Sequence, residues 1–83
     1  MSERATVVDA VVARIIGVIP ETETRPPSVD QDLREFAGFD SLGILELLVW
    51  LESEFSITIP DEELVVENFT SVGKMADYVI AHQ

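Results

Sequence analysis

The chain contains no cysteine, one histidine, one tryptophan and only five basic residues. Without cysteine there is no disulfide staple, no thiolate metal site and no cysteine nucleophile, so packing alone must hold the fold. The single histidine, His82, is penultimate. With no cysteine or second histidine to join it, His82 reads as a complement to a helix C-terminus rather than as a base or a metal ligand. The four glycines, at 17, 38, 43 and 73, never gather into a phosphate-cradling loop with its lysine. The acidic run Asp61, Glu62, Glu63 lacks the spaced ligands and central glycine of an EF-hand loop, so it reads as a solvated face. No stretch approaches the roughly 20 apolar residues that span a bilayer, and the opening MSERATVVDA has neither the basic nor the apolar region of a secretory signal. A cytoplasmic chain without a membrane partner is expected.

What is present is a single foldable unit. Eighty-three residues, of which 47% are hydrophobic, can fill one core but cannot divide their apolar side chains between two and still offset the entropy of ordering each. One domain over residues 1–83 is therefore expected. Sixteen acidic residues give a net charge of −11. That charge repels nucleic-acid phosphates and anionic headgroups and steers the chain toward proteins with basic patches.

Apolar spacing predicts an all-α bundle of four helices. Over residues 5–19, Val8, Val11, Val12, Ile15, Ile16 and Ile19 recur at helical spacing, although so many β-branched residues would lower helicity in isolation. From Gly17 to Asp40 a long connection carries Pro20, Pro26 and Pro27, with Leu33 and Phe36 as its anchors to the core. Structureless loops of that length are rare in small domains unless they serve a function. Asp40 and Ser41 open a second helix running to about Phe55. Asp61 to Glu63 then favour a short third helix to about Val66. Thr70 or Ser71 caps a last helix with Val72, Met75, Ala76, Val79 and Ile80 on one face.

The start of the second helix carries the one position with chemistry to argue. Serine is common at helix starts because its hydroxyl satisfies a free backbone N–H. Here Asp40 can do that work, which leaves the Ser41 hydroxyl to solvent at the positive end of the helix, where an attached phosphate would be stabilised. Advancing about 100° per residue puts Ile44, Leu47, Leu48, Leu51 and Phe55 on the core side. Leu42, Glu46, Val49, Trp50 and Ser53 fall on the opposite side. Three apolar side chains facing water beside a reactive serine form a docking surface for proteins that must approach it. Glu46, Glu52, Glu54, Asp61 and Glu62 are the acids expected to attract basic patches on those partners.

These residues resemble a known family, the phosphopantetheine-dependent acyl carrier proteins and their aminoacyl or peptidyl relatives, and the resemblance covers nearly the whole chain. GFDSLGILELLVWLESEF is similar to the family's Asp-Ser-Leu signature with its acidic helix, ITIPDEEL to the segment before its short third helix, and NFTSVGKMADYV to its last helix. The resemblance implies that Ser41 carries 4′-phosphopantetheine derived from coenzyme A, that Asp40 supports it, and that the arm's thiol holds an acyl group as a thioester. It also implies a monomer that catalyses nothing itself. The implied partners are a phosphopantetheinyl transferase, a loading enzyme (an adenylating ligase or an acyltransferase), and downstream synthase or tailoring enzymes. Gly43 departs from the acidic residue often found two places after the serine, and Trp50 is large where smaller residues are common. Asp40 before the serine favours an acyl or free-standing carrier, with fatty acid, polyketide or other specialised metabolism as its setting. The alternatives are an aminoacyl carrier of peptidyl or D-alanyl type and, from another class, an acidic helical adaptor with no prosthetic arm.

Overall fold

The computed structural model describes residues 3–83; Met1 and Ser2, which the single-domain reading includes, lie outside the described residues. Three α-helices carry the fold: α1 (Glu3–Val18), α2 (Ser41–Phe55) and α3 (Val72–His82). No strand occurs among the described residues, and the class is all-α as expected.

α1 buries Val7, Val11 and Ile15 in an i, i+4 column that continues to Ile19 just beyond its end. The expected stripe is thus turned by one column. Val7 belongs to it, Val8 and Val12 are only partly buried, and Ile16 lies at its margin. Two neighbouring apolar columns compete on this helix, and its packing against α3 and α2 buries the first. The helix stops because Pro20 forces Ile19 into an extended conformation at φ −113° and ψ 98°.

The long connection is built rather than loose. Its first part is a 3-10 turn, Pro20–Glu23, closed by the buried Thr22 hydroxyl donating to the Ile19 carbonyl at 2.7 Å. A second turn, Leu33–Glu35, buries Leu33, and the buried Phe36 follows directly, so both expected anchors reach the core. The Leu33 N–H donates to Thr70 O at 2.7 Å, and the Gly73 N–H donates to Val29 O at 2.9 Å. These bonds stitch the connection to the start of α3, which answers how so long a segment is tolerated.

The expected short third helix is not a continuous α-helix. Two 3-10 turns, Asp61–Glu63 and Val66–Phe69, replace it. The Asn68 side chain donates to the Glu63 carbonyl at 2.9 Å, taking an acceptor that a continuing helix would use. The β-branched pair Val65 and Val66 adds no helical preference to oppose this. α3 is capped by Ser71, whose hydroxyl accepts the Lys74 N–H at 3.1 Å, and it buries Val72, Met75, Ala76 and Val79.

Candidate functional site

Asp40 caps α2 in two ways. Its carboxylate accepts the Gly43 N–H at 2.8 Å, and its carbonyl accepts the Ile44 N–H at 2.9 Å. Ser41, the first residue of the helix, is exposed, and its hydroxyl has no protein partner among the described residues. The N–H groups of Ser41 and Leu42 likewise meet no protein acceptor there. An exposed hydroxyl thus stands beside two unsatisfied donors at the positive end of a 15-residue helix.

The backbone leading to Ser41 is held from the far side. Both carboxylate oxygens of Glu21 are used on it, accepting the Gly38 N–H at 3.0 Å and the Ala37 N–H at 3.2 Å. Gly43 presses against the same strand of chain, since a Cβ there would lie 2.7 Å from the Gly38 carbonyl oxygen. The glycine that departs from the family pattern is therefore what this close approach requires. Gly43→Ala is expected to destabilise the fold by about 1–3 kcal/mol, in the range of overpacking. Gly17→Ala, where an added Cβ meets nothing within 4 Å, is expected to stabilise by about 0.4–1 kcal/mol. Chemical denaturation of the two variants checks the opposite signs.

A cleft of about 270 Å³ opens beside the serine, lined by Arg34, Phe39, Asp40, Ser41, Ile44 and Val66. A larger open hollow of about 550 Å³ lies elsewhere and includes none of these residues; Glu63, Glu67, Lys74, Tyr78 and His82 contribute to it. Several of its groups are engaged with one another. The Tyr78 hydroxyl donates to Glu63 at 2.7 Å, and partial burial together with that bond pushes the phenol up to about 12. His82 stacks on Tyr78 at 3.9 Å, with its Nδ1 2.8 Å from the Tyr78 carbonyl at the end of α3. Among the described residues no group of His, Asp and Glu is arranged to hold a metal ion.

On the outer face of α2, Leu42 is 72% exposed and Val49 57% exposed, with Glu46 exposed between them. Leu45, 55% exposed, joins them and was not foreseen; its spacing from Leu42 and Val49 is the i, i+3, i+7 signal that places it there. Trp50 is only half-exposed and packs edge-on against Phe55, with ring centroids 5.6 Å apart. Asp61 and Glu62 are exposed. Glu52 is partly occupied within the fold, accepting the Ile59 N–H at 3.0 Å. Leu64, Val65 and Val66 form a second exposed apolar group that sequence reasoning passed over as part of a helix.

A family profile described as the phosphopantetheine attachment site matches residues 6–79. The chain belongs to that family. Its family is that of proteins that carry covalently attached 4′-phosphopantetheine. It is similar to the mitochondrial acyl carrier protein of Saccharomyces cerevisiae, 36% identical over 81 residues that cover 89% of this chain and 63% of that relative. The chain thus spans less than two thirds of the relative's length. No helix among the described residues is long and apolar enough to cross a membrane.

Proposed function

We propose that Ser41 is the attachment point of 4′-phosphopantetheine and that residues 1–83 act as one carrier domain, presenting an acyl group to separate biosynthetic enzymes. The observation that carries this reading is the division of labour at the head of α2. Asp40 supplies the cap, so the Ser41 hydroxyl is free to lose its proton and attack the pantetheine-side phosphorus of coenzyme A, breaking the pyrophosphate and releasing adenosine 3′,5′-bisphosphate. The helix N-terminus is free to stabilise the phosphodiester that results. When bound, the group supplies a flexible arm whose terminal thiol holds cargo as a thioester. The residues fit it: the hydroxyl is exposed, two N–H donors are unsatisfied, and the cleft alongside carries an arginine.

Similarity to an acyl carrier protein favours acyl over aminoacyl cargo. Fatty acid, polyketide or other specialised pathways are the setting of this reading, with a transferase, a loading enzyme and a downstream synthase as partners. Mass analysis of the loaded protein from its source cells tests it. An acyl mass on the arm supports the reading, an aminoacyl mass transfers the protein to the aminoacyl branch, and a protein never modified would make it an adaptor.

Docking is proposed to use Leu42 and Val49, with Trp50 at the margin and Glu46, Asp61 and Glu62 as the steering charges; Glu52 contributes charge while holding the Ile59 N–H. Exposed charges are screened beyond about 8 Å at physiological ionic strength. The kcat/KM for pantetheinylation is therefore expected to fall several-fold as salt is raised, through slower association. Rates indifferent to salt would reduce these acids to solubilising charges.

A further inference from the structure

Only one basic side chain lines the cleft that holds Ser41, in a chain with five basic residues against sixteen acidic. That residue is Arg34. It sits on the Leu33–Glu35 turn, which the buried Leu33 and its bond to Thr70 O anchor to the core. Asp32 grips the guanidinium along one edge: Nε donates to Oδ1 at 3.0 Å and to Oδ2 at 3.2 Å, and Nη2 donates to Oδ2 at 2.7 Å. Asp32 is itself fixed by accepting the Arg34 backbone N–H at 2.9 Å. The Arg34 bonds, those of its side chain first, hold this carboxyl down to about 2, so it stays charged at any working pH.

This pair is exposed and contributes little to holding the fold together. Its consequence is orientation. A guanidinium already held in one geometry loses less freedom when it takes a second oxyanion than a free one does. The Asp32 contacts use the Nε and Nη2 edge, and Nη1 has no protein acceptor among the described residues. The remaining wall of the cleft is apolar at Phe39, Ile44 and Val66, which strengthens a charge-assisted bond made there. The other charged group in the cleft, the Asp40 carboxylate, would repel an attached phosphate.

We propose that Arg34, held by Asp32, is a positioning residue for the arm: its free Nη1 edge binds the phosphodiester joined to Ser41 and offsets the repulsion from Asp40. The inference rests on the Ser41 reading, and one experiment separates the two. Wild type, R34Q, R34K and R14Q are each treated with coenzyme A and a phosphopantetheinyl transferase, checked by mass, and compared by 31P NMR at low and high salt. Arg14, exposed on α1 and not part of the cleft, controls for the loss of one positive charge elsewhere. The expected result is that R34Q moves the phosphodiester resonance toward its position in the unfolded holo-protein, while R14Q leaves it at the wild-type value. Raising salt should move the wild-type resonance the same way and leave R34Q unchanged. R34K keeps the charge without the fork, so it should show a smaller displacement, and it carries the test if R34Q folds poorly. A wild-type protein left unmodified at Ser41 sinks the attachment reading and this inference with it. A modified R34Q or R34K whose resonance matches wild type at both salt concentrations overturns the Arg34 role alone.

Discussion

Replacing Ser41 with alanine is expected to abolish pantetheinylation while leaving the melting temperature nearly unchanged. The hydroxyl caps nothing, because Asp40 accepts the Gly43 N–H and the Ile44 N–H bonds the Asp40 carbonyl. Alanine is the most favourable helix residue, and surface substitutions away from special features stay within about 0.5 kcal/mol. Loss of modification is all or none because no second group can form the same bond at that place. Asp40→Ala should show the complementary pattern. It removes the cap and costs roughly 0.5–2 kcal/mol, yet it retains the hydroxyl and with it some modification. Intact mass and thermal melts on the two variants read both effects. Modification persisting in Ser41→Ala would place the arm on another residue.

The second large effect separates the two faces of α2. Leu51 is fully buried and Leu48 nearly so, and truncating either to alanine should cost about 2–5 kcal/mol. Against a total stability of about 5–15 kcal/mol for a domain, that is a substantial part of the whole. At about 4–8 °C per kcal/mol for a domain of this size, melting should fall by roughly eight degrees or more. Leu42→Ala and Val49→Ala should instead leave melting almost unmoved and weaken transferase docking by roughly 1–2 kcal/mol, as useful interface contacts do. Leu45, equally exposed, is expected to behave like them. Melting curves and transferase kinetics across the five variants make the comparison. Stability losses at Leu42 and Val49 equal to that at Leu51 would show this face to be buried and remove the docking surface.

The inner face of α2 is legible in Ile44, Leu47, Leu48 and Leu51 because Glu46 and Ser53 mark the opposite side, even though Leu42, Leu45 and Val49 form a second apolar row beside it. α1 was harder. Val7 and Val8, Val11 and Val12, and Ile15 and Ile16 form two adjacent columns of the same residue types, and only tertiary packing selects the first. The segment expected as a short third helix differs for a related reason. Its acidic start favours a helix locally, but the Asn68 side chain takes the Glu63 carbonyl from five residues away. At the site, Asp40 as cap and Ser41 as the free hydroxyl could be read from the residues alone, since capping is local chemistry. Glu21 could not. Its two bonds to Ala37 and Gly38 join residues sixteen and seventeen apart, and nothing in the intervening sequence marks them. Gly43 stands in the place of an acid in the sequence, and its reason is long-range: the Gly38 carbonyl oxygen occupies the space that a side chain there would need.

Whether the Ser41 hydroxyl carries the prosthetic arm is tested most directly by intact mass followed by peptide fragmentation after incubation with coenzyme A and a phosphopantetheinyl transferase. The predicted result is a gain of one phosphopantetheine per chain, with every modified fragment containing Ser41 and none of the added mass on any other serine or threonine. No gain in mass, or a gain carried by a fragment that lacks Ser41, would contradict it.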